Sequence, residues 1–343
     1  MTAPPNRRPS KSRLGLLLAL LVALAALPVF MTVFPDQTWV TNSRLFSFTQ
    51  MFMLITLTSN WNLTGGFTGY VDFGHAVFFG IGAYGTGIFM NEAWPFWPSM
   101  FAGAVLAAIF ALIIGYPTLR LKGPYFSIAM LGMFVAMREI VRVAKPLTGG
   151  GVGLTLPPYL NRPLFYYVSL ILAVLVVGIM WWIRRSEFGA TLIAIREDEV
   201  GAEMRGINTT VNKIAAFVLA GFLTGIVGGL WAYQNTFIDP DGVFFPSRTV
   251  ELVMMAMLGG LGTVAGPVVG AATIYWMRDV VWANLAEWHL FAEGMLMILI
   301  VLYAPQGIMG KLGDRSGTSI FRVWGNRLRR SEPEEVPEDE VSV

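Results

Sequence analysis

The sequence contains no cysteine, only two histidines and few charged residues. Without cysteine the chain can form neither disulfide bonds nor thiolate metal sites. Charged residues make up 13% of the 343 positions, whereas soluble domains carry roughly 25%. His75 and His289 stand in neither a metal-binding nor a triad-like pattern. A Gly-x-x-x-x-Gly-Lys-Ser/Thr loop is also missing, so the sequence shows no P-loop nucleotide site and no catalytic set.

Long uncharged stretches take the place of the missing charges. Residues 93–119, 163–183, 214–238 and 252–277 contain no charged side chain, and 55% of the whole chain is hydrophobic. About 20 mostly apolar residues are needed to cross a bilayer, and a helix satisfies its own backbone groups there. We therefore expect an all-α, polytopic transmembrane bundle of 8–10 helices. The predicted helices cover 14–34, 45–64, 73–91, 97–116, 124–144, 164–183, 212–234, 249–261, 265–284 and 287–304.

Two features leave the number of crossings open. The segments 249–261 and 265–284 are short and interrupted by glycine, so they either cross the membrane or form a re-entrant hairpin. The first helix contains Ala23-Leu24-Ala25, which resembles a signal-peptide cleavage site within residues 1–25. Its apolar run continues to Phe34, however, which favours a retained helix.

Positive charges indicate the orientation of the bundle. Basic residues concentrate on the side that the N-terminus occupies, whereas the opposite loops hold few of them. This distribution predicts cytoplasmic N- and C-termini. The basic positions on the predicted cytoplasmic side are Arg7, Arg8, Lys11, Arg13, Arg120, Lys122, Arg184, Arg185, Arg196, Arg205, Lys213, Lys311, Arg315, Arg322, Arg327, Arg329 and Arg330.

Residues 184–213 form a polar segment between two apolar stretches. We predict one short amphipathic helix over Thr191–Arg205, ended by Gly206 in a left-handed conformation. A helix lying on the bilayer would have a basic polar face. This face is instead acidic, and an anionic leaflet repels an acidic helix. The segment is therefore better suited to a cytoplasmic protein partner.

Four ordered stretches resemble permeases of the branched-chain amino acid ABC importers, and the resemblance covers residues 40–310. The stretches are 65–84, 118–129, 194–208 and 258–271. Residues 194–208, Ala-Ile-Arg-Glu-Asp-Glu-Val-Gly-Ala-Glu-Met-Arg-Gly-Ile-Asn, look like the coupling segment of that family. Two stretches depart from its pattern: Val71-Asp72-Phe73-Gly74-His75 replaces Leu-Ser-Leu-Gly-His, and Gly201 replaces an alanine.

The resemblance implies a non-catalytic permease subunit in a bacterial inner membrane. It would pair with a second permease, two cytoplasmic ATPases that bind ATP and magnesium, and an extracytoplasmic binding protein. It implies no cofactor or metal on this chain and no nucleic-acid partner. Branched-chain amino acids are the expected solutes, with urea, amides and other amino acids as alternatives. The residues expected to couple to the ATPases are Arg196, Glu197, Glu199, Glu203, Arg205 and Gly206.

Glycine clusters and one polar pair in a predicted membrane segment mark a candidate substrate pathway. Transporters often build solute sites where helices are unwound near the membrane midplane. The turn of Gly259, Gly260, Gly262 and Gly266 has this composition, and close helix packing is the alternative. Asp72, Gly74 and His75 lie at the start of the third helix, where we expect Asp72 to act as the N-cap, with pathway lining as the second possibility.

The domain boundaries follow from these patterns. Residues 1–13 form a basic N-terminus, 14–304 the permease domain, and 305–343 a tail that is acidic and predicted to be disordered from 331. A self-contained secondary transporter or channel is the alternative function. It would explain the glycine-broken helices, but it leaves the acidic helix unexplained and lacks an evident set of ion-coupling carboxylates.

Overall fold

The computed structural model describes residues 11–33, 42–121, 123–159 and 161–281, with 291, 295, 298–299 and 307–312 beyond them. The predictions for 1–10, for most of the helix at 287–304 and for the tail from 313 lie outside these residues. The helices predicted from 14–34 to 265–284 coincide with observed helices, and their ends agree to within three residues.

The described chain is a helical bundle, which confirms the predicted all-α class. Three of its helices are long and apolar enough to cross a membrane: α4 (Phe96–Thr118), α7 (Arg162–Arg185) and α10 (Thr209–Asn235). The longer helices are α1 (Lys11–Val33), α2 (Asn42–Asn62), α3 (His75–Asn91), α4 (Phe96–Thr118), α5 (Pro124–Val143), α7 (Arg162–Arg185), α10 (Thr209–Asn235), α12 (Pro246–Gly259) and α13 (Ala265–Val281). The short ones are α6 (Lys145–Thr148), α8 (Glu187–Glu197), α9 (Glu199–Met204), α11 (Pro240–Val243) and α14 (Gly307–Leu312).

Three irregular pieces interrupt this pattern. A π-helix, Leu63–Thr68, continues directly from α2, and a 3₁₀ turn, Gly150–Val152, precedes the first strand. Strands β1 (Leu154–Thr155) and β2 (Phe237–Ile238) form an antiparallel pair in which Leu154 lies opposite Ile238. Because β2 follows α10, this pair marks one end of the bundle, whereas α8 and α9, which precede α10, mark the other.

Helices α3, α4 and α10 pack against one another through small residues. A methyl group added at Gly82 would collide with the backbone of Gly225, and one added at Gly225 would come within 2.9 Å of Ala104. Small residues let helix backbones approach closely where lipid offers no hydrophobic driving force. This close packing sets the path of α10, the helix that follows the coupling segment.

A second group of helices surrounds α2. Helix α2 packs along α7 and against the antiparallel pair of α12 and α13. Helix α12 has 14 residues, which corresponds to about 21 Å, less than the ~30 Å of a hydrocarbon core. This length agrees with the hairpin alternative for 249–284. Helix α1 lies on α7, where the Tyr166 hydroxyl donates a 2.6 Å hydrogen bond to the Leu24 carbonyl.

Candidate coupling site and substrate pathway

The coupling segment consists of two helices, so the prediction of one helix over Thr191–Arg205 is wrong. Helix α8 begins after Ser186, whose hydroxyl accepts a hydrogen bond from the Gly189 N–H, and ends at Glu197. Asp198 is extended, with φ −157° and ψ 104°, and α9 follows. A Cβ at Gly201 would lie 2.5 Å from Asp198 Oδ2. Gly201 therefore leaves room for the Asp198 side chain at the break between α8 and α9.

One face of the segment is buried in the bundle. The side chains of Leu192, Ile195 and Ala202 are at most 3% exposed. Leu192 belongs to an apolar cluster that also contains Leu63 and Phe67 of the π-helix, together with residues of α7 and α10. The segment is thus anchored on the π-helix that follows α2, a contact between residues more than 120 positions apart.

Arg196 points into the protein. Its side chain is 7% exposed, and Nη1 donates a 2.9 Å hydrogen bond to the Gly66 carbonyl of the π-helix. Nε and Nη2 both donate to Glu197 Oε1, at 3.2 and 2.7 Å. This fork geometry is specific to a guanidinium group. Arg196 therefore joins α8 to the π-helix, and its side chain is not available as an outward contact.

Glu199 also faces the protein interior. Its carboxylate pairs with Lys213 Nζ at 2.6 Å and accepts a 2.6 Å hydrogen bond from the Tyr70 hydroxyl. Lys213, which is 3% exposed, donates in addition to the Leu119 carbonyl at 2.9 Å. Burial first, and then the Glu199 carboxylate, raise the pKa of the Tyr70 phenol, so Tyr70 keeps its proton and acts as a donor.

The outer face of α9 is largely apolar. Met204 is 85% exposed and Val200 is 53% exposed, one helical turn apart. Glu203 lies at the edge of this face, where its carboxylate accepts a 2.7 Å hydrogen bond from the Thr209 hydroxyl. Arg205 is exposed, and Gly206 has a φ of +85°, the left-handed conformation that the sequence predicts for the helix end.

Asp72 is not the N-cap of α3, because the helix begins two residues later than the sequence predicts. Gly74 is the N-cap residue, and its N–H donates a 2.8 Å hydrogen bond to Asp72 Oδ1. Asp72 Oδ2 lies 3.2 Å from His75 Nδ1, and His75 Nε2 lies 2.8 Å from the Thr224 hydroxyl. The carboxylate thus stabilises the turn before the helix and orients the imidazole.

The start of α3 lies inside the bundle. Asp72 and His75 are fully buried. Thr224, the partner of His75, follows Lys213 by eleven residues on α10, which corresponds to ~16 Å along the helix. Between Tyr70, which contacts Glu199 of the coupling segment, and His75, which contacts Thr224, the chain therefore runs from the end of the bundle into its interior. In this conformation Asp72, Gly74 and His75 are enclosed by neighbouring helices.

The turn between α12 and α13 is held by residues from other parts of the chain. Asn62, the last residue of α2, accepts a 2.9 Å hydrogen bond from the Gly262 N–H and donates a 3.0 Å bond to the Thr263 carbonyl. Gly260 and Gly262 have positive φ angles of 119° and 72°. A Cβ at Gly259 would collide with the Gly266 carbonyl, so these glycines allow the two ends of the turn to meet.

The sequence did not indicate the roles of four residues of this region. Asn62, Tyr70 and Met204 were not singled out, and Lys213 was not expected to point into the bundle. Asn62 and Tyr70 acquire their roles through partners more than 120 positions away, which no local pattern indicates. A lysine at the start of an apolar helix was the available signal for Lys213, since a lysine that becomes buried there needs an acidic partner. Within the described ranges, no three His, Asp or Glu side chains come together as a metal site would require.

Comparison with known proteins identifies the family. Residues 43–301 match the family described as "Branched-chain amino acid transport system / permease component". The high-affinity branched-chain amino acid transport system permease protein LivM of Salmonella typhimurium is 26% identical over 294 residues, which cover 76% of this chain and 68% of that protein. LivM of Escherichia coli K12 is 26% identical over 288 residues, covering 74% and 67%.

A second group of relatives carries a different name. The autoinducer 2 import system permease protein LsrC of Salmonella typhi is 23% identical over 301 residues, which cover 82% of this chain and 84% of that protein. No solved structure gives a significant match. The four stretches that carry the sequence resemblance all lie inside the matched residues. The chain is an integral membrane protein, and it belongs to the permease family of the branched-chain amino acid ABC importers.

Proposed function

We propose that the chain is the permease subunit through which an ABC importer moves a small polar solute across the inner membrane. An ATPase subunit docks on the outer face of α9. The observation that carries the proposal is the division of α9 into two faces. Glu199 and Ala202 are directed to the bundle, whereas Val200 and Met204 are more than half exposed. Exposed apolar side chains with a charged rim, here Glu203 and Arg205, are typical of a protein interface.

The charge distribution supports a cytoplasmic position for this end of the bundle. Arg184, Arg185, Arg205 and Lys213 belong to or flank the coupling segment, as the positive-inside rule requires of cytoplasmic loops. With the same orientation both termini would be cytoplasmic, as the sequence predicts. The ATPase subunits, with their ATP and magnesium, would then meet α8 and α9 directly.

The names of the relatives support a choice between solutes. The LivM proteins are named for branched-chain amino acids and the LsrC protein for autoinducer 2. Because LivM is the more similar in sequence, we take branched-chain amino acids as the first candidate and autoinducer 2 as the second. A second permease subunit would complete the pathway, and an extracytoplasmic binding protein would deliver the solute.

The mechanism we propose is alternating access driven by nucleotide. ATP binding closes the two ATPases, and this closure moves α8 and α9 together with the bundle on which they are anchored. Nucleotide thereby shifts the equilibrium between outward- and inward-facing states, because it binds the two states with different affinity. The enclosed residues Asp72, Gly74 and His75 and the glycine turn of Gly259–Gly266 are the proposed pathway elements that open.

Substitution of Met204 tests the docking face. We expect Met204→Glu to reduce co-purification of the ATPase subunits about tenfold, because it places a charge at the centre of an apolar contact. The substitution leaves the fold intact, since Met204 is 85% exposed. Val152→Glu, at an 81% exposed position near β1, is the matched control and should change nothing. Undiminished ATPase association of Met204→Glu would contradict the docking face.

A further inference from the structure

We propose that Arg196 is a positioning residue that transmits the movement of the coupling helix to the α12–α13 turn. The proposal rests on the proposed function and adds the route by which the docked ATPase would act on the pathway. Its starting observation is the direction of the side chain. Arg196 lies in the segment to which the ATPase docks, yet it is 7% exposed and bonded to the Gly66 carbonyl.

Two glycines leave room for the arginine side chain, and a third allows the π-helix to approach the α12–α13 turn. A Cβ at Gly69 would lie 2.8 Å from Arg196 Cγ, and one at Gly262 would collide with Arg196 Nη1. A Cβ at Gly66 would lie 2.7 Å from the Gly262 backbone nitrogen. The side chain of α8 is therefore in contact with the π-helix and the α12–α13 turn at once. A larger residue at Gly69 or Gly262 would occupy the space of the arginine, and one at Gly66 would meet Asn62 and the Gly262 backbone.

Asn62 makes a second connection between the same elements. Its side chain forms two hydrogen bonds to the backbone of the turn, one from Gly262 N–H and one to Thr263 carbonyl. Because Leu63–Thr68 continues directly from Asn62, a displacement of the π-helix moves Asn62 and hence the turn. Arg196 and Asn62 thus form a continuous path of hydrogen bonds and close contacts from α8 to the turn.

The contacts of Arg196 favour transfer of a movement of α8 to the turn over its absorption by rotation of the side chain. Glu197 fixes the guanidinium plane with two hydrogen bonds, so the group cannot rotate freely when α8 moves. The turn itself can respond, since the positive φ angles of Gly260 and Gly262 are accessible to glycine at little cost. A movement of the restrained Arg196 side chain is therefore followed by the backbone of the turn, which bends at its glycines.

Uncoupling of transport from ATP hydrolysis tests the proposal. The complete complex, with both permeases, the ATPases and the binding protein, is reconstituted in proteoliposomes with radiolabelled leucine. We expect Arg196→Met to lower the leucine transported per ATP hydrolysed at least tenfold, while ATPase co-purification stays within twofold of wild type. Arg196→Lys should fall between the two, because it keeps the charge and loses the fork. Arg120→Met, at an exposed arginine after α4, is the control.

A second readout does not depend on the solute. Because the chain has no cysteine, Leu261→Cys provides a single label in the turn. Its reactivity towards a membrane-impermeant maleimide should differ between the ATP-bound and nucleotide-free complexes. This difference should disappear in Leu261→Cys/Arg196→Met and return in part in Leu261→Cys/Arg196→Lys.

The outcomes separate this proposal from the docking proposal. An unchanged ratio of transport to hydrolysis, or a nucleotide-dependent label reactivity that survives Arg196→Met, would overturn the role of Arg196. Loss of ATPase association in Arg196→Met, as expected for Met204→Glu, would also overturn it, because Arg196 would then be a docking residue. Should Arg196→Met fail to fold, the Arg196→Lys pair decides the question by the same label.

Discussion

At the scale of single residues, the direction of a side chain separates positions that look alike in the sequence. The acidic run Glu197, Asp198, Glu199 and Glu203 reads as one face of a docking helix. In the structure Glu199 pairs with Lys213, and Glu203 accepts a hydrogen bond from Thr209. Glu199 is thus directed towards the bundle, whereas Glu203 stays exposed at the edge of the apolar positions that form the proposed contact. These partners lie 14 and 6 positions further along the chain, on α10, outside the helix whose own pattern the sequence shows.

Replacement of Lys213 should show how much its ion pair with Glu199 contributes to the free energy of unfolding. A buried ion pair that loses one partner leaves an uncompensated charge, which costs about 3–5 kcal/mol. We expect Lys213→Met to lower the free energy of unfolding by roughly 3 kcal/mol, measured by denaturant unfolding in detergent. The double variant Lys213→Met/Glu199→Gln should recover most of the loss, because no charge remains unpaired. Equal stability of the single variant and wild type would contradict the cluster as described.

At the scale of secondary-structure elements, the turn between α12 and α13 places the strictest requirement on residue type, because it needs glycine. Gly262 has a φ of 72°, and a Cβ there would collide with Arg196 Nη1. A left-handed conformation costs other residues roughly 1–2 kcal/mol. The turn therefore depends on glycine for its backbone and for the contact with α8.

Alanine substitution measures that dependence. Gly262→Ala should lower the unfolding free energy by at least about 1–2 kcal/mol, and Gly132→Ala should leave it unchanged or slightly higher. Gly132 is the matched control, since it lies in α5 with open space around its Cα. Thermal unfolding followed by circular dichroism compares the two variants. A Gly262→Ala protein as stable as wild type would show that the turn differs from the one described.

Sequence reasoning located the elements well and their irregularities poorly. Apolar runs bounded by glycine, proline and charge gave helix ends within three residues, because hydrocarbon thickness and backbone hydrogen bonding leave few alternatives. The break at Asp198, the π-helix Leu63–Thr68 and the β1–β2 pair were not predicted. Each of them is set by tertiary contacts, such as the packing of Leu192 against Leu63 and Phe67. The inward direction of the Arg196 side chain is likewise set by a tertiary contact.

At the scale of the whole molecule, the chain forms one part of a transporter. The proposed pathway residues Asp72 and His75 are enclosed in the bundle, while the proposed docking face lies at one end of it. In the proposed function, closure of a docked ATPase opens this arrangement. A self-contained carrier or channel would need no such face, so the energy source distinguishes the two functions.

The most direct measurement is leucine uptake into proteoliposomes that contain this chain, its partner permease and the ATPases, together with the binding protein. We expect leucine to accumulate against its gradient only when ATP is present on the side of the ATPases. Uptake should stop when the ATPases are omitted or when their phosphate-binding lysine is replaced. Equal uptake by this chain without ATPases and without ATP would contradict the account and would favour a self-contained transporter or channel.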